Sequence, residues 1–226
     1  MNDAVLKVSG LEKHFSSAGE RLTILDQLDL EVLPGTTVSI TGESGCGKST
    51  LLNIIAGLES ASGGRIEAGP YQVVGLDEDD SAEYRGAFLG LVFQFHYLLK
   101  DFTALENVML PAYMRGMKKR EALDRARSLL AEVKLEHRSH HFPSQMSGGE
   151  RQRAAVARSL VNSPSLVLAD EPTGNLDPAN SAVVRDLLFS VVKKHGKTLI
   201  LVTHDRNMAS MTDISWRLEK GRLVRS

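Results

Sequence analysis

Leu28, Leu30 and Val32 alternate with Asp29 and Glu31, the two-residue period of a half-buried strand. Pro34-Gly35 then turns the chain, and Thr37 to Thr41 follows as an apolar, β-branched run. The pattern predicts a hairpin-like lead into a buried strand. Further strands are predicted at Leu89 to Phe93, Leu166 to Ala169 and Thr198 to Thr203. The last two are almost continuously aliphatic, as in a parallel sheet covered on both faces, and are expected at the sheet centre. Between Gln94 and Ser163 helical periodicity replaces alternation. Thr103 and Glu106 have capping-box spacing, and Ala122, Leu123, Ala126, Leu129, Leu130 and Val133 repeat at helical intervals with Arg125, Arg127 and Lys134 between them. Asp177 can cap a helix with Pro178 at its first position, Lys193 and Lys194 in its last turn and a stop near Gly196. Asp77 to Asp80 reads as an exposed acidic loop.

Short strands alternating with amphipathic helices argue an α/β fold. The 226 residues, 42% of them hydrophobic, suffice to bury a sizeable core. Twenty-seven Lys plus Arg against 28 Asp plus Glu give a net charge of -1, so nucleic acid is not an expected partner. The longest run without a formal charge, Gly86 to Leu99, has 14 residues and falls short of the roughly 20 a membrane span needs. No basic and then apolar leader opens the sequence, and the single cysteine, Cys46, excludes an internal disulfide. A cytoplasmic location is the expectation.

The chemistry begins at Gly42, Glu43, Ser44, Gly45, Cys46, Gly47, Lys48, Ser49 and Thr50, which follow the strand ending at Thr41 and precede the apolar helix Leu51 to Leu58. That is the phosphate-binding loop pattern in its required context. The three glycines let backbone N–H groups curl round phosphate oxygens, Lys48 adds a point charge, and Ser49 offers a hydroxyl to Mg²⁺. A second candidate is Ser165 to Asp177, an aliphatic strand ending in two adjacent carboxylates. Asp170 would accept a magnesium-bound water or bind Mg²⁺ directly, and Glu171 would polarise the water that attacks the γ-phosphate. Seen alone, such a pair is as often a helix cap or a solvated loop. A third is Met146 to Arg153, in which Ser147 can cap a helix whose first N–H groups, together with the hydroxyl, face an anion.

Ser147, Gly148, Gly149 and Glu150 opening a helix 23 residues before Asp170 resembles the signature of ABC-type ATPases. The resemblance covers nearly the whole chain. It implies a RecA-like P-loop NTPase core with an antiparallel β edge in residues 1–94 and 161–226, and an inserted helical subdomain in 95–160. Gln94 resembles the glutamine that senses Mg²⁺ and the attacking water. Gly174 to Asp177 resembles the loop that crosses the dimer interface, and His204 the switch histidine that contacts the γ-phosphate. Phe15 resembles the aromatic that stacks on adenine, where a core aromatic is the competing reading. Cys46 stands where serine is usual, Met146 where leucine is usual and Phe15 where tyrosine is frequent.

Three local features, the EPTGNLD string, Arg138, His141, Pro143 and Gln145 before the signature, and Leu105 to Val108 with Pro111, resemble the cytoplasmic ATPases of bacterial lipoprotein-releasing and macrolide-export systems. What the resemblance implies is an ATP- and Mg²⁺-dependent homodimeric ATPase that powers export or extraction through separate membrane permease subunits and sits on the inner face of the cytoplasmic membrane. A regulatory ATPase of the cell-division type is the alternative. The membrane partner is expected at Phe95, His96, Tyr97, Leu98 and Leu99 with Leu105 and Met109, unless these side chains only join subdomain to core. His137, His140 and His141 lack the further ligands a zinc site needs, and Lys118-Lys119-Arg120 reads as a solvated helix start.

Overall fold

The structure, a computed structural model, describes residues 3–17 and 20–225. In chain order the elements are β1 (Leu6–Ser17), β2 (Glu20–Val32), β3 (Thr37–Thr41), α1 (Lys48–Ile55), β4 (Gly63–Ala68), β5 (Tyr71–Gln72), α2 (Glu78–Phe88) and β6 (Leu89–Val92). Then follow α3 (Ala104–Met114), α4 (Lys119–Glu132), α5 (Gly148–Leu160), β7 (Leu166–Asp170), α6 (Pro178–Lys194), β8 (Thr198–Val202), α7 (Arg206–Ala209), β9 (Ile214–Glu219) and β10 (Arg222–Arg225). The chain packs as two compact units, Met1–Arg85 with Thr198–Ser226, and Gly86–Lys197.

In the first unit β2, β1, β4 and β5 form an antiparallel sheet in that order. β3 pairs in parallel with both β8 and β9, and β10 closes that edge antiparallel to β9. The alternation of β2 is real: Leu28, Leu30 and Val32 are buried while Asp29 and Glu31 are exposed. The hairpin it suggested is not. β2 pairs with β1, and the turn in which Thr36 N–H donates to the Leu33 carbonyl hands the chain to the other sheet. Alternation reports which face is wet, not which strand lies alongside. Asp77 to Asp80 is likewise not a loop, because α2 starts at Glu78. The Asp77 carboxylate accepts from the Asp80 N–H at 2.8 Å, and Glu78, Asp79 and Asp80 place negative charge at the positive end of the helix dipole.

In the second unit β6 and β7 pair in parallel, Leu89 opposite Leu166 through Val92 opposite Ala169. Four of the five residues of β7, and all five of β8 in the first unit, are buried, as their aliphatic runs require. Residues 95–160 contain no strand. α3 carries the expected Thr103–Glu106 capping box, and α4 buries Ala122, Ala126, Leu129 and Leu130. α5 crosses β6 so closely that a Cβ on Gly90 would lie 2.3 Å from the Ser159 carbonyl oxygen, and only glycine fits there. α6 begins as its sequence signals: the Asp177 carboxylate accepts from the N–H groups of Ala179 and Asn180, both at 3.1 Å.

Candidate functional site

In the first unit residues 42–47 join β3 to α1, whose first residues are Lys48, Ser49 and Thr50. Gly42, Gly45 and Gly47 have φ values of 150°, 79° and 105°. Two of them also lack room for a side chain: a Cβ on Gly42 would lie 2.8 Å from both Cys46 Sγ and the Leu218 carbonyl oxygen, and one on Gly47 2.6 Å from Ile24 Cγ2. Ile24 reaches Gly47 because β2 carries one extra residue there, between the pairs Lys13–Leu25 and His14–Thr23. Gly47 is the N-cap of α1 and no side chain caps that helix, so its first N–H groups face the loop. Lys48 is buried, and its ammonium donates to the carbonyls of Gly42 at 3.1 Å and Glu43 at 2.8 Å. A cradle of backbone donors beside a buried cation is a site for anionic oxygen. Phe15, on β1 opposite Leu22, is 45% exposed, so it is not a core aromatic. His204 is exposed immediately after β8, and Asp205 caps α7 by accepting from the Asn207 N–H at 2.7 Å.

In the second unit β7 delivers Asp170 and Glu171, both half-buried. Glu171 has φ of 44°, a left-handed conformation that costs a side-chain-bearing residue energy and re-aims the carboxylate from the strand direction. The turn after it closes with the Gly174 N–H donating to the Glu171 carbonyl at 3.0 Å. Gln94, just beyond β6, meets this turn: its amide donates to Asn175 Oδ1 at 3.3 Å. Ser147 caps α5 in a capping box, accepting from the Glu150 N–H at 3.2 Å while its own N–H donates to Glu150 Oε2 at 2.8 Å. That backbone hydrogen bond, outweighing partial burial and aided by the Ser147 hydroxyl and Arg138, holds the Glu150 carboxyl below the usual range. Arg138 Nε lies 2.9 Å from Glu150 Oε1. Gly149 packs against α6, where a Cβ would lie 2.5 Å from Asn180 Oδ1, and Asn180 Nδ2 donates to the Asp177 carboxylate at 2.6 Å. Hydrogen bonds from the Asn180 side chain and backbone keep Asp177 below its ordinary pKa. Gln94 thus meets the 174–177 turn, and the α5 N-terminus meets the helix capped by Asp177.

Sequence reasoning missed Asn175, Asn180 and Ile24. Asn175 and Asn180 lie in or beside motifs that were read for other residues, and Ile24 has no local signal because its place depends on a bulge. The proposed partner segment divides in two. Phe95, Tyr97 and Leu99 are exposed, whereas Leu98, Leu105 and Met109 are buried. Nearby, α3 and α4 border a groove of about 450 Å³ lined by Phe102, Leu110, Tyr113 and Leu123 among others.

Against known proteins, residues 25–174 match the family model described as "ABC transporter". The chain is 66% identical over 223 residues to the lipoprotein-releasing system ATP-binding protein LolD of Treponema denticola, covering 99% of both chains. It is 56% identical over 225 residues to LolD of Treponema pallidum, covering 100% of each. Among solved structures it is similar to a dimeric ATP-binding cassette in a post-hydrolysis state bound to ADP and Pi, with a TM-score of 0.89, 36% identity and 97% of each chain covered.

Proposed function

Because the chain belongs to the ABC transporter family and is an ATPase with the α/β fold of P-loop NTPases, we propose that it drives a lipoprotein-releasing type of transporter as its nucleotide-hydrolysing subunit. The observation that carries the reading is that one chain presents two anion-seeking helix N-termini, α1 after the glycine loop and α5 after Ser147. In a homodimer, the α1 terminus of one protomer and the α5 terminus of its partner would close on the triphosphate of one ATP from two sides. The dimeric state of the similar cassette supports this arrangement.

The roles follow from the chemistry of each group. The loop N–H groups and Lys48 would bind the β- and γ-phosphates, leaving the carbonyls that now hold the ammonium. The Ser49 hydroxyl, the Gln94 amide oxygen and the Asp170 carboxylate are each hard oxygen ligands of the kind Mg²⁺ takes, and each would serve it, Asp170 directly or through water. Magnesium, when bound, would neutralise charge on the phosphate oxygens. Glu171 would orient and polarise the attacking water, and His204 would hydrogen-bond the γ-phosphate. Ser147 would turn its O–H from the Glu150 carboxylate toward a phosphate while still accepting from the Glu150 N–H. Phe15 would stack on adenine, and Asp177 would stand at the dimer contact.

Among the described residues no helix is long and apolar enough to cross a membrane, and a transport path would come from separate membrane subunits. Exposed Phe95, Tyr97 and Leu99 offer the apolar anchors such a subunit needs, which would keep the ATPase at the inner face of the cytoplasmic membrane. Full-length identity to lipoprotein-releasing proteins favours transport over the regulatory alternative. The test is reconstitution with the co-purifying membrane proteins in vesicles carrying an acylated protein. ATP-dependent release of that protein is expected, and ATP hydrolysis without release would overturn the transport reading.

A further inference from the structure

Lys13 is only 5% exposed, whereas lysine ammonium groups ordinarily stay in water. Lys13 Nζ lies 2.6 Å from Glu59 Oε1, donates to the Ser60 carbonyl at 2.7 Å, and stands over the Phe15 ring, 4.6 Å from its centroid. An ammonium has three donors. Two meet oxygens, and the electron-rich face of the ring supplies the remaining direction. Lys13 and Phe15 are two residues apart on β1, so both side chains leave the same face of the strand.

We propose that Lys13 positions the adenine stacker: its ammonium covers one face of the Phe15 ring and holds the ring so that the opposite face receives the base. The proposal rests on Phe15 being the adenine stacker and adds the residue that orients it. The surroundings make this a fixed platform. The segment that holds the ammonium follows directly from α1, the helix of the phosphate loop, and is laced to β1 by the Ser62 N–H donating to the Glu12 carbonyl at 2.8 Å and the His14 N–H donating to Ser62 Oγ at 3.1 Å. On the facing strand the extra residue Ile24 touches Gly47 of the loop. Base platform and phosphate cradle are therefore built on the same strand pair, and Lys13 ties the ring to that frame. A ring already held loses less freedom on stacking, and affinity rises accordingly.

The experiment compares binding of MgATP and of inorganic tripolyphosphate, which lacks the base, by calorimetry on the full chain and its Lys13→Met, Lys13→Arg and Phe15→Leu variants. Lys13→Met is expected to weaken MgATP binding about threefold to tenfold with tripolyphosphate affinity unchanged. Lys13→Arg should restore most of the loss, and Lys13→Met should add little once Phe15 is Leu. Equal weakening toward both ligands, or a full effect of Lys13→Met in the Phe15→Leu background, would overturn the proposal. If Phe15→Leu lowers the ratio of the two affinities and Lys13→Met does not, the stacking reading stands and the positioning role falls. If neither lowers it, the Phe15 reading falls first. Should Lys13→Met fail to fold, Glu59→Gln, which leaves the lysine in place but loosens it, decides: a fall in the ratio supports the proposal and an unchanged ratio overturns it.

Discussion

Gln94 and Asn175 clasp each other: the Gln94 amide donates to Asn175 Oδ1 at 3.3 Å, and Asn175 Nδ2 donates to the Gln94 carbonyl at 3.4 Å. The two residues come from different segments of the second unit, one after β6 and one in the turn after β7. The clasp lies over Gly174, where a Cβ would stand 2.9 Å from Gln94 Nε2. The clashing atom is the far end of a flexible side chain, so the fold can accept a methyl group while the glutamine cannot stay in place. Gly174→Ala is therefore expected to leave thermal stability nearly unchanged and to lower MgATP hydrolysis about tenfold or more, because a small misplacement of a positioning group is costly. Steady-state ATPase assays beside a melting curve check this. Unchanged turnover would separate the clasp from catalysis.

Glu171→Gln preserves the shape of the side chain and its left-handed backbone while removing the carboxylate that would orient water. Turnover should fall by about 10²- to 10⁴-fold with ATP binding retained. A dimer stable in MgATP should accumulate, visible by light scattering. A variant that hydrolyses at the wild-type rate would remove Glu171 from its role.

The parts of this site that were legible in sequence are those where chemistry or sterics act locally. The loop glycines have positive φ, β7 and β8 are buried runs, and Asp177, Pro178 and Gly196 bracket α6 at its ends. What stayed hidden depends on partners far along the chain. Alternation in β2 could not show that β1, and not β3, lies beside it. The acids at 77–80 read as a loop because their charge is conspicuous and their fit to a helix dipole is not. β9 is only half-buried over Ile214 to Trp216, so it lacks a clean period, and neither the left-handed Glu171 nor the Gln94–Asn175 clasp has any signal in residue order.

The capping carboxylate of α5 gives the protein an acid-sensitive joint. Glu150 accepts from the Ser147 N–H and meets Arg138. Its folded-state pKa is depressed, so it contributes stability that is fully present above the unfolded value, ~4.3, and is lost as pH falls through the lower folded value. Glu150→Gln is expected to cost about 1–2 kcal/mol near neutral pH. The gap between the two melting temperatures should narrow steadily below about pH 4.3. A gap constant from pH 7 to 3 would show that the charge plays no part.

Tyr97 and Leu98 are adjacent in sequence and opposite in consequence. Tyr97 is 62% exposed and Leu98 6%. Arg158 of α5 donates to the backbone carbonyls of Tyr97 at 2.6 Å and His96 at 2.8 Å, and Gln152 of the same helix donates to the Phe93 carbonyl at 2.7 Å. The helix that opens at Ser147 therefore grips the backbone of the exposed segment, while the Tyr97 ring rests edge-on against Phe93 at 5.4 Å. Leu98→Ala removes buried volume and should cost about 2–4 kcal/mol of stability, so the sequence-based expectation that both residues serve docking is narrowed to Tyr97. Tyr97→Ala gives up that contact and a tilted one with Phe95 at 6.3 Å, about 0.5–1.5 kcal/mol each, and should remain folded and able to bind ATP. Its loss should appear in co-purification with the membrane subunits, and in stimulation of ATP hydrolysis by them. Arg158→Ala provides the complementary result: if the grip transmits docking to the α5 N-terminus, partner binding should persist while stimulation falls. Tyr97→Ala that binds and responds like the wild type would place the docking surface elsewhere.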